Sequence, residues 1–327
     1  MKIKYGVVFF VCCVLLGAVA IFFPEIKSLV FKMLHRKPAQ RVGLVLSGGC
    51  VRGAYEVGVW KALEELDVVR HIGAFSGTSI GSINAALFAS GDDFKVFRSV
   101  WEDAVGEVFV LNDASGGDTI KHFFEVAMED GFSKALEEGS AAIDGKGRHS
   151  GLCSTVELRK LLEGHLPRYW RSGPPDVYAT AIERMSRRLK RFKLNGKDSS
   201  QYIPYMLASA AVPLIFTPVE IDGVEYLDGG IGIGGDNTPI DPIVKDHPEI
   251  DIIIVVYLHC LEKLDHRIDK TNYPGKKIIE IIPSRDISGL AGIGGSIGLS
   301  RDSVSSLIDL GYQDTMRVFQ RNSYKER

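Results

Sequence analysis

Between Val42 and Ala89 the chain twice passes from a short apolar run through a glycine-rich turn into a helical stretch. The first passage is Val42-Gly43-Leu44-Val45-Leu46, then Ser47-Gly48-Gly49-Cys50-Val51-Arg52-Gly53, then Ala54 to Leu66. The second runs from Val68 to Phe75, through Gly77-Thr78-Ser79-Ile80-Gly81, into Ser82 to Ala89. A continuous apolar run of this length fits a strand buried on both faces. The first helix carries Val57, Trp60, Ala62, Leu63 and Leu66 on one broad face, with Glu56, Lys61, Glu64 and Glu65 mostly off it. Strand–helix–strand–helix implies a parallel sheet joined by right-handed crossovers.

The second turn is a nucleophile elbow candidate, G-x-S-x-G. A serine at the tip of a sharp strand-to-helix turn is exposed at the carboxyl edge of the sheet. Gly77 and Gly81 let the chain turn without a Cβ clash. The helix that begins there aims unpaired backbone N–H groups at the same spot. Alone the pattern is weak, because a serine between two glycines also arises as a helix N-cap.

Further along, Asp92–Val105 and Thr119–Leu136 read as helices, and Glu138–Gly151 as a polar, glycine-rich surface loop. Ser154-Thr155-Val156-Glu157 fits a capping box that starts a helix to about Leu166. Val177 to Ile182 reads as a core strand, and Arg187 to Leu194 as its hairpin partner. The latter is basic, which suits a charged edge strand or a membrane-facing patch. Tyr202 to Val212 reads as a helix ended by Pro213. Val219-Glu220-Ile221, Asp222-Gly223 and Val224-Glu225-Tyr226-Leu227 form a hairpin that delivers Asp228-Gly229-Gly230. Asp251–Leu258 and Lys277–Pro283 read as strands, Ile287–Leu299 as a glycine-rich flap, and Ser303–Gln320 as a closing helix.

Ahead of this, Tyr5 to Phe23 is apolar and uncharged, and nearly long enough to cross the ~30 Å core of a bilayer. The segment 1–24 therefore reads as a single-pass N-terminal membrane anchor. Export after signal cleavage near Ala20 is the alternative, since Ala18-Val19-Ala20 resembles a cleavage site. Residues 25–40 read as a basic juxtamembrane linker and 41–327 as one catalytic domain. A net charge of −2 gives no sign of a nucleic-acid partner. The cysteines, Cys12, Cys13, Cys50, Cys153 and Cys260, show no C-x-x-C spacing, so neither a metal site nor a disulfide framework is indicated.

Hydrolysis of an ester needs a nucleophile, a base and donors for the oxyanion. Ser79 supplies the first, and the Gly48–Arg52 loop offers backbone N–H groups. Asp228 is the best base. None of the histidines sits in a triad-like motif, and His259, after a core strand, is the least implausible of them. A dinucleotide site at the glycine loop fails on Cys50 and on the lack of a suitable ribose acid, since Asp67 precedes its strand.

Four segments in order now resemble the patatin-like phospholipases: Gly48-Gly49-Cys50-Val51-Arg52-Gly53 with Ala54 to Val59, Gly77 to Gly81, Ala208-Ser209-Ala210-Ala211-Val212-Pro213, and Asp228-Gly229-Gly230. The resemblance covers roughly Arg41 to Leu258. It implies a three-layer α/β/α fold with a mostly parallel central sheet, preceded here by the N-terminal hydrophobic helix. It implies a serine lipid acyl hydrolase of phospholipase A or lysophospholipase type that needs no metal or other cofactor. Ser79 would be the nucleophile, Asp228 the base, and Gly48, Gly49, Cys50, Val51, Arg52 and Gly53 the oxyanion hole. Gly77, Gly81, Gly229 and Gly230 support the two motifs. The expected partners are a phospholipid or other lipid ester and the membrane that holds it.

Two departures stand out. The family's loop usually reads Gly-x-Gly-x-x-Gly, and its second required glycine is Cys50 here. Cysteine keeps the N–H donor, but a positive φ at that position costs about 1 kcal/mol or somewhat more. Gly232–Gly235 looks like a short insertion before Asp236-Asn237-Thr238-Pro239 that alters the pocket mouth. The rival readings are an acyltransferase or thioesterase on the same elbow, and a membrane-anchored binding protein with a weakened site.

Overall fold

β1 (Val42–Leu46) is buried along its whole length and lies at the centre of the sheet. β2 (Ile72–Thr78) pairs with it in parallel on one side and β7 (Ile252–Val256) on the other. β3 (Asp176–Glu183) continues the parallel run beyond β2, and β8 (Lys277–Ile281) beyond β7. Three antiparallel strands complete the sheet: β4 (Leu189–Lys193) on β3, and the hairpin β5 (Val219–Ile221) and β6 (Val224–Asp228). The hairpin turn at Asp222-Gly223 has positive φ at both residues, 52° and 77°, as a tight two-residue turn requires. These assignments come from a computed structural model that describes residues 41–107, 155–213, 215–231, 234–264, 267–288 and 300–325.

Alternate residues of the central strands feed two cores. Leu44, Leu46, Ile254 and Val256 face one side. There they meet α1 (Ala54–Glu65), α2 (Ile80–Ser90), α3 (Phe94–Glu107), α4 (Thr155–His165), α5 (Ser199–Ser209) and the long α7 (Arg301–Lys325). Val45, Ala74, Ile253 and Val255 face the other side with Ile243 of the short α6 (Asp241–Asp246). The result is a three-layer α/β fold with a mostly parallel mixed sheet. Period-two burial on both faces is what continuous Val/Ile/Leu strands demand.

Several boundaries differ from the sequence reading for local reasons. β2 starts at Ile72 because Val69–His71 forms a 3₁₀ turn. α5 starts earlier, at Ser199, where Asp198 and Gln201 form a reciprocal capping box. It also ends earlier, at Ser209. Beyond that point Ala211 offers its carbonyl to the N–H of Asp228 (3.0 Å) instead of continuing the helix.

The expected membrane anchor is corrected. No helix among the described residues is long and apolar enough to cross a membrane. The stretch Tyr5–Phe23 that carried the expectation lies outside those residues, as do the 25–40 linker, the Thr119–Leu136 helix, the Glu138–Gly151 loop and most of the flap after Ile287.

Candidate active site

β3 brings the two ends of the site together. Its Thr180 pairs with Thr78, the last residue of β2, and the next residue, Ala181, pairs with Asp228, the last residue of β6. β4 occupies the opposite edge of β3 at these same positions, so β2 and β6 share one edge and meet end to end. Ser79 follows β2 directly. The serine turn and the aspartate turn therefore open into one cleft, lined by Gly48, Gly49, Cys50, Arg52, Ser79 and Asp228 together with Val212, Asn237 and His259.

Ser79 has φ 56° and ψ −129°, a left-handed conformation that costs a non-glycine residue about 1–3 kcal/mol. Such strain persists only where the surroundings hold it. A Cβ on Gly77 would fall 2.3 Å from the carbonyl of Gly81, and one on Gly81 would fall 2.3 Å from the carbonyl oxygen of Leu46. Only glycine fits either position. The Ser79 N–H donates to Ser209 Oγ (2.9 Å), whose own hydroxyl donates to the Thr180 carbonyl (2.6 Å). Ser209 thus ties the elbow to β3, and Ala211, two residues on, holds the backbone of Asp228. The Ala208–Pro213 segment serves both turns.

The Asp228 carboxyl is 2% exposed. Its Oδ1 accepts the Gly230 N–H at 2.8 Å, while its buried Oδ2 has no hydrogen-bond partner. Burial raises its pKa to about 7, against the opposing pull of the Ser79 hydroxyl and the Gly230 N–H. No hydrogen bond of normal geometry joins Ser79 to the carboxylate, although the serine is close enough to stabilise its charge. Catalytic hydrogen bonds are often long before substrate binds. An aspartate with pKa near 7 is a far better base toward serine than an exposed one near 4.

The Gly48–Gly53 loop is held by Asn237 and by a turn of its own. The Gly48 N–H already donates to Asn237, to Oδ1 (3.1 Å) and to the main-chain oxygen (3.3 Å). The Arg52 N–H donates to Gly49 O (3.2 Å), closing a 3₁₀ turn over Cys50–Gly53. The Gly48 and Arg52 amides are committed to these bonds, and Gly48, Gly49, Cys50 and Arg52 line the cleft. Val51 and Gly53 do not line it. Cys50 does adopt a positive φ, 50°.

Arg52 is 6% exposed. Its Nε donates to Gly49 O (3.0 Å) and its Nη1 to His259 Nδ1 (3.1 Å). Burial and the adjacent guanidinium push the His259 pKa down to about 3, so the imidazole is neutral. With Nδ1 accepting from Arg52, the ring proton sits on Nε2. His259 therefore lines the cleft as a hydrogen-bond donor and is unsuited to be a base at neutral pH.

Three residues of the Asp236–Thr238 segment were not singled out as site residues by sequence, yet they touch every part of the site. Asp236 O accepts from Thr78 Oγ1 (2.7 Å), and its N–H donates to Gly229 O (2.8 Å). Asn237 Nδ2 donates to Gly48 O (3.2 Å), and Thr238 Oγ1 meets Ser47 Oγ (3.0 Å). The signal for them is positional only: they follow the aspartate turn within ten residues.

Residues 44–244 match the family model described as patatin-like phospholipase. A 62-residue stretch is 47% identical to a protein of Aspergillus terreus named lysophospholipase nte1, which is 19% of this chain and 4% of that relative. Among solved structures, VipD from Legionella pneumophila superposes with a TM-score of 0.45 at 16% identity, covering 86% of this chain and 67% of that one. Human GIVD cytosolic phospholipase A2 superposes with a TM-score of 0.46 at 11% identity, covering 89% and 61%. The family model spans well over half of the sequence and includes both the serine elbow and the aspartate turn, so the chain belongs to the patatin-like phospholipase family.

Proposed function

We propose that the chain is a serine lipid acyl hydrolase that cleaves fatty-acyl esters of phospholipids or lysophospholipids through Ser79 and Asp228. The observation that carries this reading is the buried Asp228 carboxyl, unpartnered at Oδ2 and with pKa about 7, in one cleft with the strained Ser79. Desolvation disfavours its charge, so it takes a proton readily from a hydroxyl under attack.

In the first step Ser79 Oγ attacks the ester carbonyl while its proton passes to Asp228. The N–H groups of Gly49 and Cys50 stabilise the tetrahedral oxyanion. Removing one such donor typically costs about 10²–10³ in rate. The C–O bond to the alcohol breaks, and the alcohol leaves with the proton held by Asp228. In the second step water attacks the acyl–Ser79 ester as Asp228 accepts its proton. The fatty acid departs and Ser79 recovers its hydrogen.

The test is fatty-acid release from a panel of phospholipids and lysophospholipids. Wild type releases fatty acid and Ser79→Ala does not. Equal release by both proteins refutes the assignment. Acyl transfer to an added alcohol in place of water would mark an acyltransferase on the same elbow.

A further inference from the structure

Glu56, in the first turn of α1, carries a carboxyl that the two-step mechanism does not use. It is fully buried, and so is Asn84 of α2, the helix that starts after Ser79. Hydrogen bonds join both residues to the donor loop. Asn84 Nδ2 donates to Glu56 Oε2 (2.7 Å) and to Gly53 O (3.0 Å), and Trp101 Nε1 of α3 donates to Asn84 Oδ1 (3.1 Å). Gly53 ends the loop, where the 3₁₀ turn over Cys50–Gly53 passes into α1.

The chemistry of the partners fixes each orientation. An indole N–H only donates and a main-chain carbonyl only accepts, so the Asn84 amide turns Oδ1 to Trp101 and Nδ2 to Gly53. Flipped, it would set oxygen against oxygen and donor against donor. Glu56 must then accept from Asn84, and its buried Oε1 has no hydrogen-bond partner. No cation among the described residues pairs with it, and burial pushes its pKa well above the ordinary glutamate value. The carboxyl is held as the neutral acid, with its carbonyl oxygen toward Asn84.

Stability does not account for this group. A carboxyl without a cationic partner is costly to bury, and a hydrocarbon of its size would avoid that cost. What the bonds achieve is position. A Cβ on Gly53 would fall 2.5 Å from Ile80 Cγ1 and 2.9 Å from Trp101 Cζ2, so its bare backbone packs on the first residue of α2. Asn237 holds the loop at Gly48, and Asn84 holds its far end at Gly53.

We propose that Glu56 is a positioning residue: through Asn84 it locks the Gly53 end of the donor loop to the helix that starts at Ser79, and so sets where the loop's amides stand relative to the serine. The inference rests on the reading that those amides receive the oxyanion. Glu56 lies outside the cleft, so its loss should lower kcat and leave KM nearly unchanged.

Three variants test this. Glu56→Leu removes the acceptor, and kcat should fall about 10–100-fold. Glu56→Gln, whose amide oxygen accepts from Asn84, should recover most of that loss. Trp101→Phe removes the indole donor and keeps a ring. It should lower kcat about threefold, and it serves where Glu56→Leu does not fold. The readout specific to positioning is the rate ratio between an ester and its thionoester. Sulfur is a poor hydrogen-bond acceptor, so aligned donors favour the oxygen ester and displaced donors do not. The ratio should fall severalfold in Glu56→Leu and return in Glu56→Gln. Lost stability with kcat and ratio unchanged overturns the proposal, as does Glu56→Gln performing no better than Glu56→Leu. Hydrogen exchange of the peptide from Ser47 to Tyr55 needs no turnover. It should quicken in Glu56→Leu and Trp101→Phe, while exchange in β7 stays as in wild type. Unchanged loop exchange overturns the proposal even where hydrolysis depends on Ser79. Quickened loop exchange in a protein that hydrolyses no ester upholds the positioning of the loop and refutes only the hydrolase reading.

Discussion

Asn237 and Gly48 hold each other by three hydrogen bonds although 189 positions separate them. The Gly48 N–H donates to Oδ1 and to the main-chain oxygen of Asn237, and Nδ2 of Asn237 donates back to Gly48 O. This clasp joins the donor loop to the segment that follows Asp228. Its neighbours Asp236 and Thr238 reach the elbow and Ser47. One tripeptide therefore ties together the Ser79 turn, the Gly48 loop and the Asp228 turn.

Replacing Asn237 with Ala removes two of those bonds and leaves Gly48 O without its side-chain donor. The expected result is a 10–100-fold loss in kcat/KM, about 1.4–2.7 kcal/mol, carried mostly by kcat. Asn237→Asp goes further. A Cβ on Gly230 would lie 2.4 Å from Asn237 Oδ1 and 3.3 Å from Asp228 Oδ1, so the two side chains flank that glycine. A second carboxylate there raises the Asp228 pKa and moves the acid limb of the pH–rate profile upward. A loss of rate with no movement of that limb would indicate a purely structural role.

Ser209→Ala leaves the Ser79 N–H buried without its acceptor. An unsatisfied buried donor costs about 1–3 kcal/mol. Denaturant unfolding should show that loss, and acylation of Ser79 should slow at least tenfold, because the strained φ of 56° is no longer held from β3. Unchanged acylation alongside lost stability would separate the tether from the chemistry.

The pH dependence follows from Asp228. Its folded pKa, about 7, lies above the ordinary aspartate value, so the folded state keeps a proton that the unfolded state releases near pH 4. Stability contributed by this group is full below pH 4 and declines as pH rises through 7. The shift corresponds to roughly 4 kcal/mol at alkaline pH. Asp228→Asn should therefore be more stable than wild type at pH 8, by about 2–4 kcal/mol in chemical denaturation, while losing its activity. Activity itself rises through pH 7 as the carboxyl ionises. An acid limb near pH 4 would contradict the raised pKa of Asp228.

Cys50 stands in a backbone conformation that favours glycine. Cys50→Gly relieves that strain and keeps the N–H. It should retain activity within a few-fold of wild type, with thermal stability equal or slightly higher. Loss of activity on this change would show that the thiol side chain, not the amide, is needed in the loop.

The strands, the elbow and the aspartate turn were legible in sequence because each is a local pattern of apolar runs and glycines. Ser79, Asp228 and four residues of the loop, Gly48, Gly49, Cys50 and Arg52, line one cleft. What was hidden depends on meetings across the fold. That Gly48 spends its N–H on Asn237 cannot be read from either residue alone, nor can the role of Ser209 beneath the elbow. His259 was set aside because it sits in no motif. It lines the cleft because Arg52, 207 positions earlier, fixes its ring. The anchor expected at Tyr5–Phe23 rested on hydropathy alone, and no described helix supplies a membrane span.

The most direct test of the central claim is labelling with an alkyl fluorophosphonate, read by intact mass and peptide mapping. The mechanism requires one adduct per chain on the Ser79 peptide of wild type, none on Ser79→Ala, and labelling slowed by orders of magnitude in Asp228→Asn. No adduct on the folded wild-type protein, or equal labelling of Ser79→Ala, would contradict it.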